Sequence, residues 1–331
     1  MIAKSSELLP FFFVIGRARS GTTLIRTILD AHPNIKIPLE SPLILDLSAE
    51  YAARKEWSES DLNYFFEQLI KIKDFYKWAY DHSQLKTLLD NQKGASSFKR
   101  IIETIYLNAP DHFRKSDVKL LGDKNPVYSI RIRQLFKLYP EAKYIHLKRD
   151  HRAHVLSMLE TELYSSDIVA LAYRWRFSAR QICRLKKKHP DQFFTLKYEE
   201  FVCSPEVHTE EMCQFLGLAF KAEMLSYQEG VSDYFEENKD KIETHHHRVY
   251  KPIDTSRINS WKEKLSTEQI ATIDYIVGAW AEKEGYRCED SGLGIYQRLR
   301  LLPRLWYQHI FYIYWQLYSL KRYYKKGKRR E

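Results

Sequence analysis

The stretch FFFVIGRARSGTTLIRTILDA, Phe11 to Ala31, constrains the fold of this 331-residue chain more than any other. Phe11 to Ile15 is an unbroken apolar run, the mark of a strand buried on both faces. Leu24, Ile25, Ile28 and Leu29 then share one face of a helix that Pro33 stops. Between them Gly16 and Gly21 bracket a turn whose backbone N–H groups would sit at the positive end of that helix, a setting for a phosphate. The two glycines have the spacing of GxxxxGK[ST], but Thr22 stands where that pattern has the lysine that reaches β/γ-phosphates. Arg19 and the hydroxyls of Ser20, Thr22 and Thr23 offer donors to an anion in its place.

The strand-and-helix alternation returns. Val118 to Gly122 and Lys143 to Lys148 read as buried strands with SIRIRQLFKLYP as a helix between them, and Phe193 to Tyr198 reads as a further strand. Such alternation predicts a three-layer α/β/α fold around a mostly parallel sheet, here with a P-loop-like first turn. Residues 48–115 are helical in pattern and richly charged, and read as a helical insertion beside the mouth of the sheet. SGLG, Ser291 to Gly294, marks the boundary between a domain over 1–290 and a tail over 291–331.

Composition narrows the class. Hydrophobic residues make up 44%, aromatic 14% and charged 29%, which is globular rather than disordered. The formal net charge of +10 predicts attraction to anions, whether nucleic acid, a lipid surface or a phosphorylated small molecule. Cys183, Cys203, Cys213 and Cys288 form no CxxC pair, so free thiols in a reducing compartment are expected. The opening MIAKSSELLPFFFVIG has too short an apolar run for a signal peptide, and a cytoplasmic location is expected.

In the tail, LWYQHIFYIYWQLYSL puts Trp306, Ile310, Ile313, Tyr314, Leu317 and Leu320 on one helical face, with Gln308, His309, Gln316 and Ser319 opposite. The run is shorter than the ~20 apolar residues of a spanning helix. Two readings stand. The helix lies in the interface of an anionic membrane, on its inner face, beside the basic stretch Lys321 to Arg330; or it packs on its own domain or a partner.

A second constellation is KYIHLKRDHRAHVLSML, in which a strand runs into Arg149 and Ser157 follows about two helical turns later. Both can face one phosphate, although a salt-bridged Arg149–Asp150 corner is the plainer alternative. Taken together, FVIGRARSGTTLIRTILDAHPNI, LGDKNP, KYIHLKRDHRAHVLSM and LKYEEFV closely resemble the sulfotransferases that use 3'-phosphoadenosine 5'-phosphosulfate (PAPS), the tyrosylprotein branch in particular.

That resemblance implies transfer of a sulfuryl group from PAPS to an acceptor hydroxyl of a lipid, glycan, small molecule or protein tyrosine, without a metal and without nucleic acid as a partner. It implies that Arg19, Ser20, Gly21, Thr22 and Thr23 bind the 5'-phosphosulfate end, that Arg149 and Ser157 hold the 3'-phosphate, and that Tyr198 lies beside the nucleotide. It implies Glu40 as general base, with His32 as the competitor by proximity, and Lys124 against the transferring group. Lys251-Pro252 and Trp261 match the segment that closes over the donor. That segment departs from the family at Thr244 or His245 and at Ser260, and Thr161 replaces a further arginine; Arg248 or Lys262 are the substitutes. His245-His246-His247 cannot all face one ion from a regular element, so no metal site is read there. The rivals are a P-loop kinase with a displaced lysine and a catalytically inert membrane-surface protein.

Overall fold

A computed structural model describes residues 7–161, 166–230, 253–289 and 292–327. Five parallel strands form the central sheet in the order β2-β5-β1-β6-β7. They are β1 (Phe11–Ile15), β2 (Ile35–Lys36), β5 (Leu120–Lys124), β6 (Lys143–Lys148) and β7 (Phe193–Lys197). The opening strand is the middle one, with every residue buried. Alternate side chains point to opposite faces, so Phe11, Phe13 and Ile15 enter one core while Phe12 and Val14 enter another.

Helix α1 (Thr22–Asp30) covers the second of these cores through Ile25, Ile28 and Leu29. The first core is closed by α2 (Leu43–Tyr51), which begins ahead of the segment expected to be a helical insertion, and by α3 (Glu59–Leu69), α4 (His82–Asp90) and α5 (Phe98–Leu107) within it. Ser58, Asp81 and Ser97 cap the last three by accepting from first-turn N–H groups. This segment also carries a two-residue antiparallel ladder between β3 (Glu56–Trp57) and β4 (Gly94–Ala95). The sequence gives too short a run there for a strand signal; the buried Trp57 ring, stacked on Tyr51, fixes it.

Two boundaries differ from the sequence reading. β5 begins two residues after Val118 and runs on through Asp123 and Lys124, because both polar side chains are buried at its end. β7 stops at Lys197, and Tyr198 opens α9 (Tyr198–Cys203), followed by α10 (Pro205–Leu216). Between β5 and β6 lies α6 (Tyr128–Leu138). After β6 come α7 (His151–Leu159) and α8 (Ile168–Lys186), which share a third core with the helix Thr267–Val277.

The helix Ile295–Gly327 packs along α2 and α8. It does so back to front. Leu301 and Tyr312 are buried and Gln308, His309 and Gln316 half-buried, whereas Trp306, Ile310, Ile313, Tyr314 and Leu317 are exposed. Among the described residues, no helix is long and apolar enough to cross a membrane.

Candidate active site

The turn after β1 is shaped by two close approaches. A Cβ on Gly16 would lie 2.5 Å from the Leu147 carbonyl oxygen of β6, so only glycine lets the chain pass there. Arg19 and Gly21 have φ of 67° and 88°, the left-handed region in which turns gather their N–H groups into an anion-binding concavity. Unlike the capped insertion helices, α1 has no side-chain cap at Gly21, which leaves its first N–H groups to another acceptor. Ser20 and Thr22 are buried in this turn and Thr23 is half-buried.

Arg149 leaves the end of β6 and reaches the turn. Its Nη1 donates to the Arg19 carbonyl at 2.7 Å, and its guanidinium lies 4.7 Å from the centre of the Tyr198 ring. Burial works against its charge, and Arg257 adds to that while Tyr198 and Glu199 offset it. Among the described residues its buried Nε has no partner, so the side chain keeps one donor for something else. The salt-bridged Arg149–Asp150 corner is not what forms: Asp150 takes Arg152 at 2.9 Å and caps α7 through the N–H groups of Arg152 and Ala153. That cap fixes the helix carrying Ser157, whose hydroxyl lies 3.4 Å from Arg19 Nε. Tyr198 fits so closely over Gly21 that a Cβ there would stand 2.5 Å from its ring.

On the other side of the turn, Lys124 at the end of β5 donates to the Thr23 hydroxyl at 3.3 Å and to the Glu40 carboxylate. The cation that the turn lacks after Gly21 is thus supplied by the neighbouring strand. Lys124 is buried, and its strand end is held by Asp123, which accepts from the Tyr106 hydroxyl at 2.9 Å and from that of Tyr128. Burial pushes the Asp123 carboxyl up to about 7, against those bonds and the Lys124 charge. His32 is committed elsewhere. Its Nδ1 accepts from the Asn34 N–H at 3.0 Å, and its Nε2 lies 3.0 Å from the Ala219 carbonyl. Burial lowers its pKa, so it is a neutral brace behind α1 rather than a base at the turn.

A sequence model of the sulfotransferase family matches residues 10–222, which spans β1 to α10 and every residue just placed around the turn. The chain belongs to the sulfotransferase family. A protein-tyrosine sulfotransferase 1 from Danio rerio is 24% identical over 263 residues, covering 78% of this chain and 67% of its own. A putative protein-tyrosine sulfotransferase from Caenorhabditis briggsae is 25% identical over 267 residues, covering 79% and 84%. This sulfotransferase therefore lies on the protein-tyrosine sulfotransferase-like branch, with PAPS as co-substrate and an acceptor hydroxyl as the group modified. The fold is shared with the sulfotransferase domain of the curacin biosynthetic pathway: TM-score 0.56, 18% identity, 86% of this chain and 100% of that one.

The sulfotransferase brings Arg19, Gly21, Thr23, Glu40, Lys124, Arg149, Ser157 and Tyr198 around one turn. Arg248, Lys251 and the histidines at 245–247 lie outside the described residues. Trp261 is buried under the Arg152 guanidinium, 3.9 Å from the ring centre, with Lys262 at 5.6 Å. Thr161 donates to the Met158 carbonyl at 2.8 Å and so ends α7 rather than facing the turn. Arg257, near enough to Arg149 to disfavour its charge, is a basic residue that the sequence reading passed over. The signal was weak: one arginine in a loop between Pro252 and Trp261. A cleft of about 520 Å³ is bordered by Asp150, Lys197, Glu199, Glu200 and Trp261. Three carboxylates make it a poor seat for a phosphate, so the anion chemistry stays with the turn.

Proposed function

We propose that Glu40 is the general base of sulfuryl transfer and that Lys124 steadies the group in flight. One observation carries this reading: Lys124 touches both the Glu40 carboxylate and the Thr23 hydroxyl of the turn. A base and a cation meet where the 5' end of the donor would lie. The acceptor oxygen forms its bond to sulfur as the bond from sulfur to the 5'-phosphate oxygen breaks. The hydroxyl proton passes to Glu40, and adenosine 3',5'-bisphosphate leaves. A sulfuryl group carries less charge than a phosphoryl group, so Lys124, Arg19 and backbone N–H groups do for it what metal ions do in kinases.

In the same reading Ser20, Gly21, Thr22 and Thr23 hold the 5' end, and Arg149 and Ser157 the 3'-phosphate. Arg19 links the two through its contact with Ser157. Tyr198 flanks the nucleoside, Arg248 and Lys251 serve as further donor-binding residues, and Arg257 adds positive charge that reaches Arg149. The unpartnered Nε of Arg149 supports the phosphate role. We place the sulfotransferase domain in 1–290 and an aromatic, basic helical tail in 291–331, which packs on that domain through Leu301 and Tyr312.

The acceptor class is a protein tyrosine, by the names of the relatives, or a lipid, glycan or small-molecule hydroxyl. Peripheral contact with the inner face of a membrane, in the cytoplasm, belongs to the same reading and is supported by the aromatic, basic tail. Labelled PAPS incubated with a cell extract identifies the product. Glu40→Gln should lower transfer by about 10²–10⁴-fold while stabilisation by adenosine 3',5'-bisphosphate is kept. Undiminished transfer by Glu40→Gln removes Glu40 from the reaction. Stabilisation by ATP with Mg²⁺ and not by the bisphosphate would restore the kinase reading.

A further inference from the structure

An amphipathic helix on a globular domain ordinarily turns its apolar face inward. The helix Ile295–Gly327 does the reverse. Its inward side is pinned by polar contacts: the Tyr173 hydroxyl lies 2.7 Å from His309 Nδ1, Arg174 Nε donates to the Tyr312 hydroxyl at 2.6 Å, and Arg304 pairs with Asp167 at 2.5 Å. The Tyr312 ring stacks on Phe177 at 4.6 Å. Outward stand Tyr296 at 81% exposure, Trp306 at 64%, Tyr307 at 65%, Ile310 at 59%, Tyr314 at 64% and Leu317 at 54%. Spaced along one side, they make an apolar strip about 30 Å long. A contiguous strip of that kind on a soluble face marks an interaction site.

Charge selects what covers it. From Ile295 to Glu331 there are ten Lys and Arg against the single acid Glu331, so this segment supplies nine of the ten net positive charges of the whole chain. Two such segments brought face to face would repel, which disfavours a second copy. An anionic surface would attract both, and Trp and Tyr are the side chains that settle at a lipid–water boundary.

We infer that the outer face of this helix docks on an anionic bilayer, lying flat with Trp306, Ile310, Tyr314 and Leu317 at the headgroup boundary, drawn there by the positive charge of the segment. The helix also packs along α2, which begins three residues after Glu40. Docking therefore holds that end of the reaction centre close to the bilayer, and the acceptor is a hydroxyl presented at the membrane surface. This last step rests on the assignment of Glu40; the docking itself does not.

The test is flotation of the full chain with vesicles of phosphatidylcholine alone and of phosphatidylcholine containing phosphatidylglycerol, with thermal stabilisation by adenosine 3',5'-bisphosphate measured in parallel. The chain should float with the anionic vesicles at least about tenfold more than with the neutral ones, and raised salt should release it. Trp306→Glu with Ile310→Glu should abolish flotation and leave the stabilisation intact. Should that variant fail to fold, Lys321→Gln, Arg322→Gln, Lys325→Gln and Lys326→Gln together should remove the anionic preference. Failure of the wild-type chain to float, or equal flotation by these variants, overturns docking. So does a chain that is dimeric until the outer face is altered and never binds vesicles. Flotation without stabilisation by the bisphosphate would keep docking and sink the assignment of the nucleotide site.

Discussion

Arg19 Nε lies 3.4 Å from the Ser157 hydroxyl, so the side chain of a turn assigned to one end of the donor touches a group assigned to the other. The two positions are 138 residues apart in sequence and share one contact, which makes their effects on binding interdependent. Arg19→Ala and Ser157→Ala should each weaken adenosine 3',5'-bisphosphate by calorimetry. The double variant should fall short of the sum by about 0.5–3 kcal/mol. Strict additivity would mean that the two side chains act separately.

Arg149 makes two commitments that a lysine cannot make together: a hydrogen bond to the Arg19 carbonyl and a guanidinium held over the Tyr198 ring. Arg149→Ala should weaken the bisphosphate by about 10–100-fold, the range for hydrogen bonds to charged groups. Arg149→Lys should recover little of it. Recovery to within a factor of two would mean that charge alone matters at this position.

Gly21 is constrained twice, by a φ of 88° and by the Tyr198 ring 2.5 Å from where a Cβ would sit. Gly21→Ala should cost about 1–3 kcal/mol in stability, read as a drop in Tm, and should also remove bisphosphate binding. Adding Tyr198→Ala should return part of the Tm, because it relieves the clash and leaves the backbone strain. If the second change returns nothing, the ring is not what the methyl group meets.

Asp123 gives the fold a pH dependence of definite sign. Burial raises its pKa from the ordinary 3.8 to about 7, so the neutral acid is the form the core favours. The stability of that form is fully present below the ordinary value and is lost as the pH rises through about 7. Relative to Asp123→Asn, the wild-type protein should lose up to about 4 kcal/mol across that window. Calorimetric Tm values at several pH values between 4 and 8 check it; parallel profiles for the two proteins would contradict the assignment.

The sequence was most legible where one physical signal dominated. β1 has the expected limits because it is an unbroken apolar run, and β6 keeps its own although His146 interrupts its buried Tyr144, Ile145 and Leu147. β5 was misplaced by two residues because its last two side chains are a carboxylate and an ammonium, whose burial depends on Tyr106, Tyr128 and Thr23 from other elements. Asp150 reads equally well as a partner of Arg149 or as a cap; only the fold shows it serving Arg152 and α7. The terminal helix was visible as amphipathic, but periodicity says that a helix has two faces and not which one its domain takes. The site came through its motifs, whereas Arg257 acquires its place only when its loop is brought to Arg149.

The position of β1 in the middle of the sheet also bears on how the protein is made. Phe11 pairs with Leu121 on one side and Phe12 with Lys143 on the other. A ribosome delivers FFFVI before either neighbouring strand, and neither of them exists until more than a hundred further residues have been synthesised. During that interval the most apolar segment of the sheet has no lasting partner, and pairings at such long sequence separation form slowly. The nascent chain must therefore be sheltered over the hundred or so residues between β1 and β5, and truncations that end before β5 should emerge as aggregates rather than as a smaller folded unit.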